Sequence, residues 1–317
     1  MKSDRYYGDV ARGYDAKRMH KPGWAREQQA VQDFVTKGPV IDVPFGTGRY
    51  VDIYKAKKLG FIGVDISTDM IAEALKKHPE ANVLQGSVFD LPFDDGHFGT
   101  VVCSRLLNWL YPEDMARAVR EIRRVGREIV VSIRTGIEGK QPVDGRPRGN
   151  YTHRLDTFYA AIDGLFIAER RTISTASDGT FEMFKLRAPC WADVLAQFDQ
   201  HPDSHDAIKR LSDVWVRRFD MGEVSVEPDH VTVRAQYWTH LELADLLHRM
   251  AAAPRADGLP NNMITDRPPR FTEHPLTIFR ANGQCAMIDG RRRTNLWHRI
   301  PGRYPVLLID CNALAPA

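Results

Sequence analysis

Along residues 1–187 the apolar positions alternate between short unbroken runs and a helical spacing. Val40-Ile41, Phe61-Ile62-Gly63-Val64, Asn82-Val83-Leu84-Gln85, Thr100-Val101-Val102-Cys103 and Glu128 to Ile133 read as strands, and such apolar runs suit parallel strands covered on both faces. Between them, Trp24 to Val35 carries apolar residues at Trp24, Ala30, Val31, Phe34 and Val35. Met115 to Val125 carries them at Met115, Ala118, Val119 and Ile122, and Tyr50 to Leu59 and the stretch from Ser67 are also helix-compatible. Ser67 or Thr68 would cap the last of these, with Asp69 in its first turn. A helix opening at Tyr151 and ending near Gly164 precedes a β-hairpin, Ile167 to Ser174 and Thr180 to Leu186, around Ser177-Asp178-Gly179. Strands alternating with helices predict an α/β layer with a mostly parallel sheet.

The pattern changes after Arg187. Helical stretches at Trp191 to Phe198 and Ser204 to Phe219 lead to strands Glu223 to Val226 and Val231 to Ala235 and a helix from Thr239, a good N-cap, to Met250. A Pro-rich irregular stretch, 251–270, follows. Then come strands at Pro275 to Phe279, from Cys285, and at Pro305 to Asp310, with a helix at Thr294 to His298. The expected division is one domain over 1–187, a helical connector over 188–222 and a smaller α+β domain over 223–317.

Composition narrows the class. With 317 residues, 43% hydrophobic and 27% charged, the chain can bury two adequate cores and is not disordered. A net charge of +3 does not by itself imply a nucleic-acid partner, although arginine is dense at 120–127 and 291–293. Arg120, Arg123, Arg124 and Arg127 read as a solvated helix face. Four scattered cysteines without a C-x-x-C pair argue against a zinc ribbon, and no metal is expected. Without an apolar leader or membrane-length run, a cytoplasmic location is expected.

The chemistry gathers around Val40-Ile41-Asp42-Val43-Pro44-Phe45-Gly46-Thr47-Gly48-Arg49. Strand, Gly-rich turn, helix, second strand and a terminal acid, Asp65, form a nucleoside-binding βαβ unit. The third glycine of a dinucleotide fingerprint is absent, since Val51 occupies its place. The turn instead resembles motif I of class I S-adenosyl-L-methionine methyltransferases, D-x-G-x-G-T-G. Pro44 stands at the first Gly; proline supplies neither positive φ nor an N–H, so the turn must be built from Phe45 to Gly48.

That resemblance, over about 1–187, implies a Rossmann-like seven-stranded sheet and S-adenosyl-L-methionine as cofactor. It implies that Phe45, Gly46, Thr47 and Gly48 border the methionine part and ribose, and that Asp65 takes the ribose hydroxyls. Ile66 and Met70 would flank adenine, Ser87 and Val88 would meet its edge, and Asp42 would orient the loop and reach the cofactor's amino group directly or through water. Tyr14-Asp15-Ala16-Lys17-Arg18 is similar to the family's Y-D-x-x-R segment, which places Tyr14 and Arg18 in a lid; from the residues alone it is equally a surface helix. Gly86 to Phe98 resembles the family's second signature, with two departures: Ser87 replaces an acid and Gly99 an aspartate.

Ser104 to Tyr111 follows the fourth strand, where open α/β sheets place reacting groups. Ser104 joins the cofactor set, and Arg105 and Asn108 are candidate catalytic residues, with Trp109 beside them. His153 is a candidate general base, or a structural histidine. The loop 134–150 is a candidate gate. An [DNS]-P-P-[YFW] element for base amines is absent.

In the C-terminal part, Ile288-Asp289-Gly290-Arg291-Arg292-Arg293 between strands, followed by Pro305-Val306, resembles the ParB/sulfiredoxin-like fold. The resemblance implies nucleotide or phosphate binding by Asp289, Gly290, Arg291 and Arg293, for which helix-start amides and guanidinium forks are suited. The leading expectation is a methyltransferase for a small-molecule or nucleotide-related acceptor. The alternatives are a nucleic-acid-associated module with an inactive cofactor half or a DNA/RNA modification enzyme, with nucleic acid held through the C-terminal domain, and a bifunctional methyltransferase/phosphotransferase.

Overall fold

A computed structural model describes residues 6–136, 153–176, 179–198, 231–252, 274–281, 284–289 and 291–311. The chain divides into two compact units: 1–162 with 167–187, and 163–166 with 188–317.

In the first unit seven strands form one sheet in the order β3-β2-β1-β4-β5-β7-β6. They are β1 (Val40–Asp42), β2 (Phe61–Asp65), β3 (Val83–Gln85), β4 (Phe98–Cys103), β5 (Gly126–Thr135), β6 (Phe166–Ala176) and β7 (Gly179–Arg187). β1 pairs in parallel with both β2 and β4, while β7 runs antiparallel to β5. This is the expected Rossmann-like sheet. Strand order reverses at β1, so the connections leaving β1 and β4 go to opposite faces and open a crevice at their carboxyl ends.

The helices are α1 (Asp9–Arg12), α2 (Pro22–Phe34), α3 (Val51–Ala56), α4 (Thr68–Lys77), α5 (Pro112–Val125) and α6 (Leu155–Ala161). On one face of the sheet Ala30, Val31 and Phe34 of α2 pack with Val40, Val102 and Val130. Ser67 is the cap of α4, its hydroxyl accepting from the Met70 N–H at 3.2 Å. α3 is shorter than the stretch read as helix-compatible, starting after Tyr50 and ending at Ala56.

Two glycines, the departure at Gly99 and Gly63 in β2, have steric reasons. A Cβ at Gly99 would lie 2.5 Å from the carbonyl oxygen of Gly38, so β4 tolerates no side chain there. At Gly63 a Cβ would meet the Phe45 ring at 2.4 Å, so the bulky residue after Pro44 lies against a bare stretch of β2. One expectation is corrected: Arg124 is not simply solvated. Its guanidinium donates to the carbonyls of Leu91 and Phe93 and to the carboxylates of Glu121 and Asp95, fastening the loop before β4 to α5.

The second unit contains α7 (Trp191–Phe198), β8 (Val231–Thr239), α8 (His240–Ala252), β9 (Leu276–Ala281), β10 (Gln284–Asp289), α9 (Arg291–Trp297) and β11 (Arg303–Cys311). Its sheet order is β10-β9-β11-β8, with β9 and β11 parallel and the outer pairs antiparallel. Thr239 caps α8 in a capping box: its hydroxyl accepts from Glu242 N–H at 3.2 Å, and Glu242 accepts from Thr239 N–H at 2.7 Å. Leu243, Leu246 and Met250 of α8 pack on Leu276, Ile278, Val306 and Leu308, closed by Trp297. α9 begins three residues earlier than the periodicity suggested. The expected strand at 223–226 and the helix at 204–219 lie outside the described residues; of the loop expected at 134–150, Arg134 and Thr135 belong to β5 and 137–150 lie outside the described residues. Among the described residues no helix is long and apolar enough to cross a membrane.

Candidate functional site

A cavity open to solvent lies in the first unit, lined mainly by residues that follow β1, β2, β3 and β4. The turn after β1 is built as the proline demands: Gly46 and Gly48 take positive φ, 57° and 71°. Among the cofactor residues read from the sequence, Tyr14, Phe45, Gly46, Thr47, Asp65, Ile66, Met70, Ser87, Val88 and Ser104 line the cavity. Asp42, Gly48 and Arg18 do not belong to its lining.

Asp65 is nearly buried at the end of β2. Its carboxylate accepts from Gly46 N–H at 2.7 Å and Ser67 N–H at 2.8 Å. Burial raises its pKa, partly offset by the N–H groups of Ser67, Gly46 and Ile66. Asp42 sits one strand away, fully buried, and accepts from the Tyr54 hydroxyl at 3.0 Å, while its Oδ1 has no partner among the described residues. Burial pushes its pKa well above the carboxylate range, and the charge of Asp65 adds to this. Asp42 thus lies behind the turn, outside the cavity lining, with one carboxylate oxygen held by Tyr54.

The N-terminal segment is pinned across the crevice. Gly8 N–H donates to Asp69 at 2.6 Å, and the Ser67 hydroxyl donates to the Tyr6 carbonyl at 2.7 Å. Asp15 accepts from the Thr47 hydroxyl at 2.7 Å and pairs with Lys77. Tyr6 and Tyr14 line the cavity, and Tyr6 makes edge contacts with Tyr14 and Trp109 at centroid separations of 5.9 and 6.0 Å. Arg18 instead stacks its guanidinium on Tyr14.

Beyond β4 the wall is ionic. Glu27 of α2, fully buried, accepts from the Tyr50 and Ser104 hydroxyls and faces two guanidiniums. Arg105 donates Nε to it at 2.8 Å and Nη2 at 2.5 Å; Arg49 forms an ion pair with it, Nη1 at 3.1 Å. Burial alone would raise the Glu27 pKa, but Arg105 and Arg49 outweigh it and the carboxyl lies below its ordinary value. Arg105 has φ 60°, a conformation that costs a non-glycine residue on the order of 1–3 kcal/mol. Its N–H is held by the Ser132 hydroxyl at 2.7 Å. Sequence reasoning named Arg105 but missed Glu27 and Arg49: a glutamate in an amphipathic helix looks solvated, and its partner is 78 residues away.

The other two catalytic candidates lie outside the lining. Asn108 is buried, its Oδ1 accepting from Arg134 N–H at 3.2 Å. His153 is buried too, its Nε2 donating to the Leu107 carbonyl at 3.0 Å, and burial lowers its pKa. In the second unit, Asp289 ends β10, Arg291 starts α9, and Gly290 lies outside the described residues. Arg293 is buried and donates Nη1 to the His274 carbonyl at 2.6 Å.

Residues 41–128 match the family described as a methyltransferase domain. A demethylmenaquinone methyltransferase of Chlorobaculum tepidum is 34% identical over 88 residues, 27% of this chain and 35% of that protein, so the match spans about a third of the relative's length. Among solved structures, a magnesium protoporphyrin IX methyltransferase from Synechocystis with bound SAH is 17% identical and covers 53% of this chain and 84% of its own, at a TM-score of 0.44. A S-adenosylmethionine-dependent methyltransferase from Clostridium acetobutylicum is 12% identical over 57% of this chain and 98% of its own, at 0.43. The match to a methyltransferase domain thus lies within the first unit, over the stretch that carries the Gly-rich turn and Asp65.

Proposed function

We propose that the first unit transfers the methyl group of S-adenosyl-L-methionine to a small-molecule acceptor. The observation that carries this reading is one cavity with two kinds of wall: a carboxylate, glycine and apolar wall after β1 to β3, and an aromatic and ionic wall beyond β4. The first kind fits the cofactor. Asp65 offers a carboxylate to ribose hydroxyls, and Ile66, apolar yet 42% exposed, is available with Met70 and Val88 to cover a flat base. The bound cofactor supplies an electrophilic methyl carbon on a sulfonium.

What the protein contributes is position and exclusion of water. Gly46 lets the backbone come close to a ligand, since a side chain there would be strained at φ 57°. Tyr6, Tyr14 and Trp109 shape the side beyond β4. Glu27 is saturated by its donors, so it orders the wall rather than taking a proton. The name of the curated relative, a demethylmenaquinone methyltransferase, supports a small-molecule acceptor. Incubating the protein with methyl-labelled S-adenosyl-L-methionine and host lysate tests this: label is expected in a small soluble product, and label confined to a nuclease-sensitive polymer would contradict it.

A second reading concerns the C-terminal unit, which we infer to be ParB/sulfiredoxin-like. Its support is the order β9, β10, α9, β11, with Asp289 ending β10 and Pro305-Val306 inside β11. Nucleotide or phosphate binding through Arg291 would show as ATP binding that Arg291→Ala abolishes; absence of ATP binding to the intact chain sinks it.

A further inference from the structure

We propose that the acceptor is a carboxylate-bearing small molecule, and that Arg105 receives the carboxylate on the half of its guanidinium that Glu27 leaves free. The proposal rests on the methyltransferase reading above and names the substrate class of the same cavity.

A guanidinium presents two edges, each able to hold one carboxylate through parallel N–H donors. Glu27 occupies the edge made by Nε and Nη2. The other edge, Nη1 with the second Nη2 hydrogen, has no hydrogen-bond partner among the described residues. The Arg105 side chain lines the cavity and is 34% exposed, with its guanidinium carbon 4.7 Å from the centre of the Phe181 ring. One edge is thus anchored in the protein and the other is presented.

Charge points the same way. One carboxylate, Glu27, faces two guanidiniums, Arg105 and Arg49, so this wall keeps a positive excess. Arg49 is largely spent on Glu27 and on the Trp24 carbonyl at 3.1 Å, and its Nε is buried without a partner among the described residues. The acid in the cavity lining itself, Asp65, belongs to β2, where Gly46 and Ser67 feed it, and Glu27 lies behind the lining. A cationic acceptor would meet repulsion at this wall, and a neutral one could pair the free edge only without charge assistance.

Arg105 is also held against conformational cost. Positive φ at a non-glycine residue persists when the surroundings over-determine it. Here they are Ser132 on the backbone N–H and Glu27 on the side chain. Such restraint keeps a fork aimed in one direction before any ligand arrives, which reduces the ordering cost of binding.

The test separates a low-molecular-weight host extract into anionic, neutral and cationic fractions and offers each to the full chain with methyl-labelled S-adenosyl-L-methionine. A second portion of the anionic fraction is first amidated with methylamine and a carbodiimide. Label is expected from the anionic fraction alone and should disappear after amidation. Arg105→Met should cut labelling at subsaturating acceptor at least tenfold while S-adenosyl-L-homocysteine affinity stays within threefold. Because that change strands Glu27, the pair Glu27→Gln with Arg105→Met is measured alongside, its folding checked by thermal melting. Label from the neutral or cationic fraction, or label that survives amidation, overturns the proposal. So does a parallel fall in S-adenosyl-L-homocysteine affinity, which would give the free edge to the cofactor's own carboxylate. If the unmodified chain fails to bind S-adenosyl-L-homocysteine at all, the methyltransferase reading falls and the proposal with it.

Discussion

The two walls of the cavity are built in opposite ways. After β1 and β2, the chemistry is assembled from neighbours in the chain: Asp65 is fed by backbone N–H groups two residues ahead and 19 residues behind, and the turn is shaped by Gly46 and Gly48. Beyond β4, the chemistry is assembled across the fold. Glu27 in α2 gathers Arg49, Tyr50, Ser104 and Arg105, three stretches of chain that meet only once the sheet has formed. The first wall recognises through backbone shape, the second through side-chain charge. Breaking one should therefore look different from breaking the other.

The largest effect is expected at the second wall. Glu27→Gln leaves two guanidiniums facing a neutral amide in a buried site, and breaking such a pair costs about 3–5 kcal/mol. Denaturant titration should show it as a lower midpoint with an unchanged slope. The pH dependence has a definite sign. The folded Glu27 pKa is lowered, so its contribution is fully present above the unfolded value and disappears as pH falls through the folded value. Glu27→Gln should flatten that acid limb; equal acid sensitivity in both proteins would contradict the cluster's role.

A smaller effect is expected where backbone packing rather than charge is at stake. Gly99→Asp restores the residue that the sequence signature calls for, yet drives a Cβ against the Gly38 carbonyl. Overpacking of this kind costs about 1–3 kcal/mol, read as a fall in thermal midpoint. An unchanged midpoint would remove the steric reason for the glycine.

At the first wall, Asp42→Asn should act in the reverse sense of Glu27. The folded Asp42 pKa is raised, so its favourable contribution is present below the unfolded value and is lost as pH rises through the folded value. The variant should gain stability relative to the parent as pH rises, and melting at two pH values checks this. Ser67→Ala removes the cap of α4 and should cost about 1 kcal/mol. The same experiment samples the hold on the N-terminal segment, since the Ser67 hydroxyl also binds the Tyr6 carbonyl.

This contrast explains what could be read from the sequence. The strand runs, the proline-forced turn and Asp65 were legible because their determinants are local: an apolar period, a residue without φ freedom, an acid at a strand end. Asp42 and Ser87 are read from the same local pattern, and the fold places them differently. Ser87 lines the cavity, while Asp42 is sealed behind Tyr54. Arg105 was found by its place after β4, and its positive φ and carboxylate partner were not, because neither has a signal in neighbouring residues. His153, read as either a general base or a structural histidine, is buried and bonded to the Leu107 carbonyl, in keeping with the second of these readings. In the C-terminal unit, Arg293 is likewise turned inward to the His274 carbonyl, a contact that no spacing announces.

The central claim is that the first wall binds the methyl donor, and calorimetric titration of the full chain with S-adenosyl-L-homocysteine tests it most directly. One site per chain is expected, with Asp65→Ala weakening binding about tenfold or more, the loss of hydrogen bonds to a charged group being worth about 1.5–3 kcal/mol. No binding to the unmodified chain, or an affinity that Asp65→Ala leaves unchanged, would contradict it.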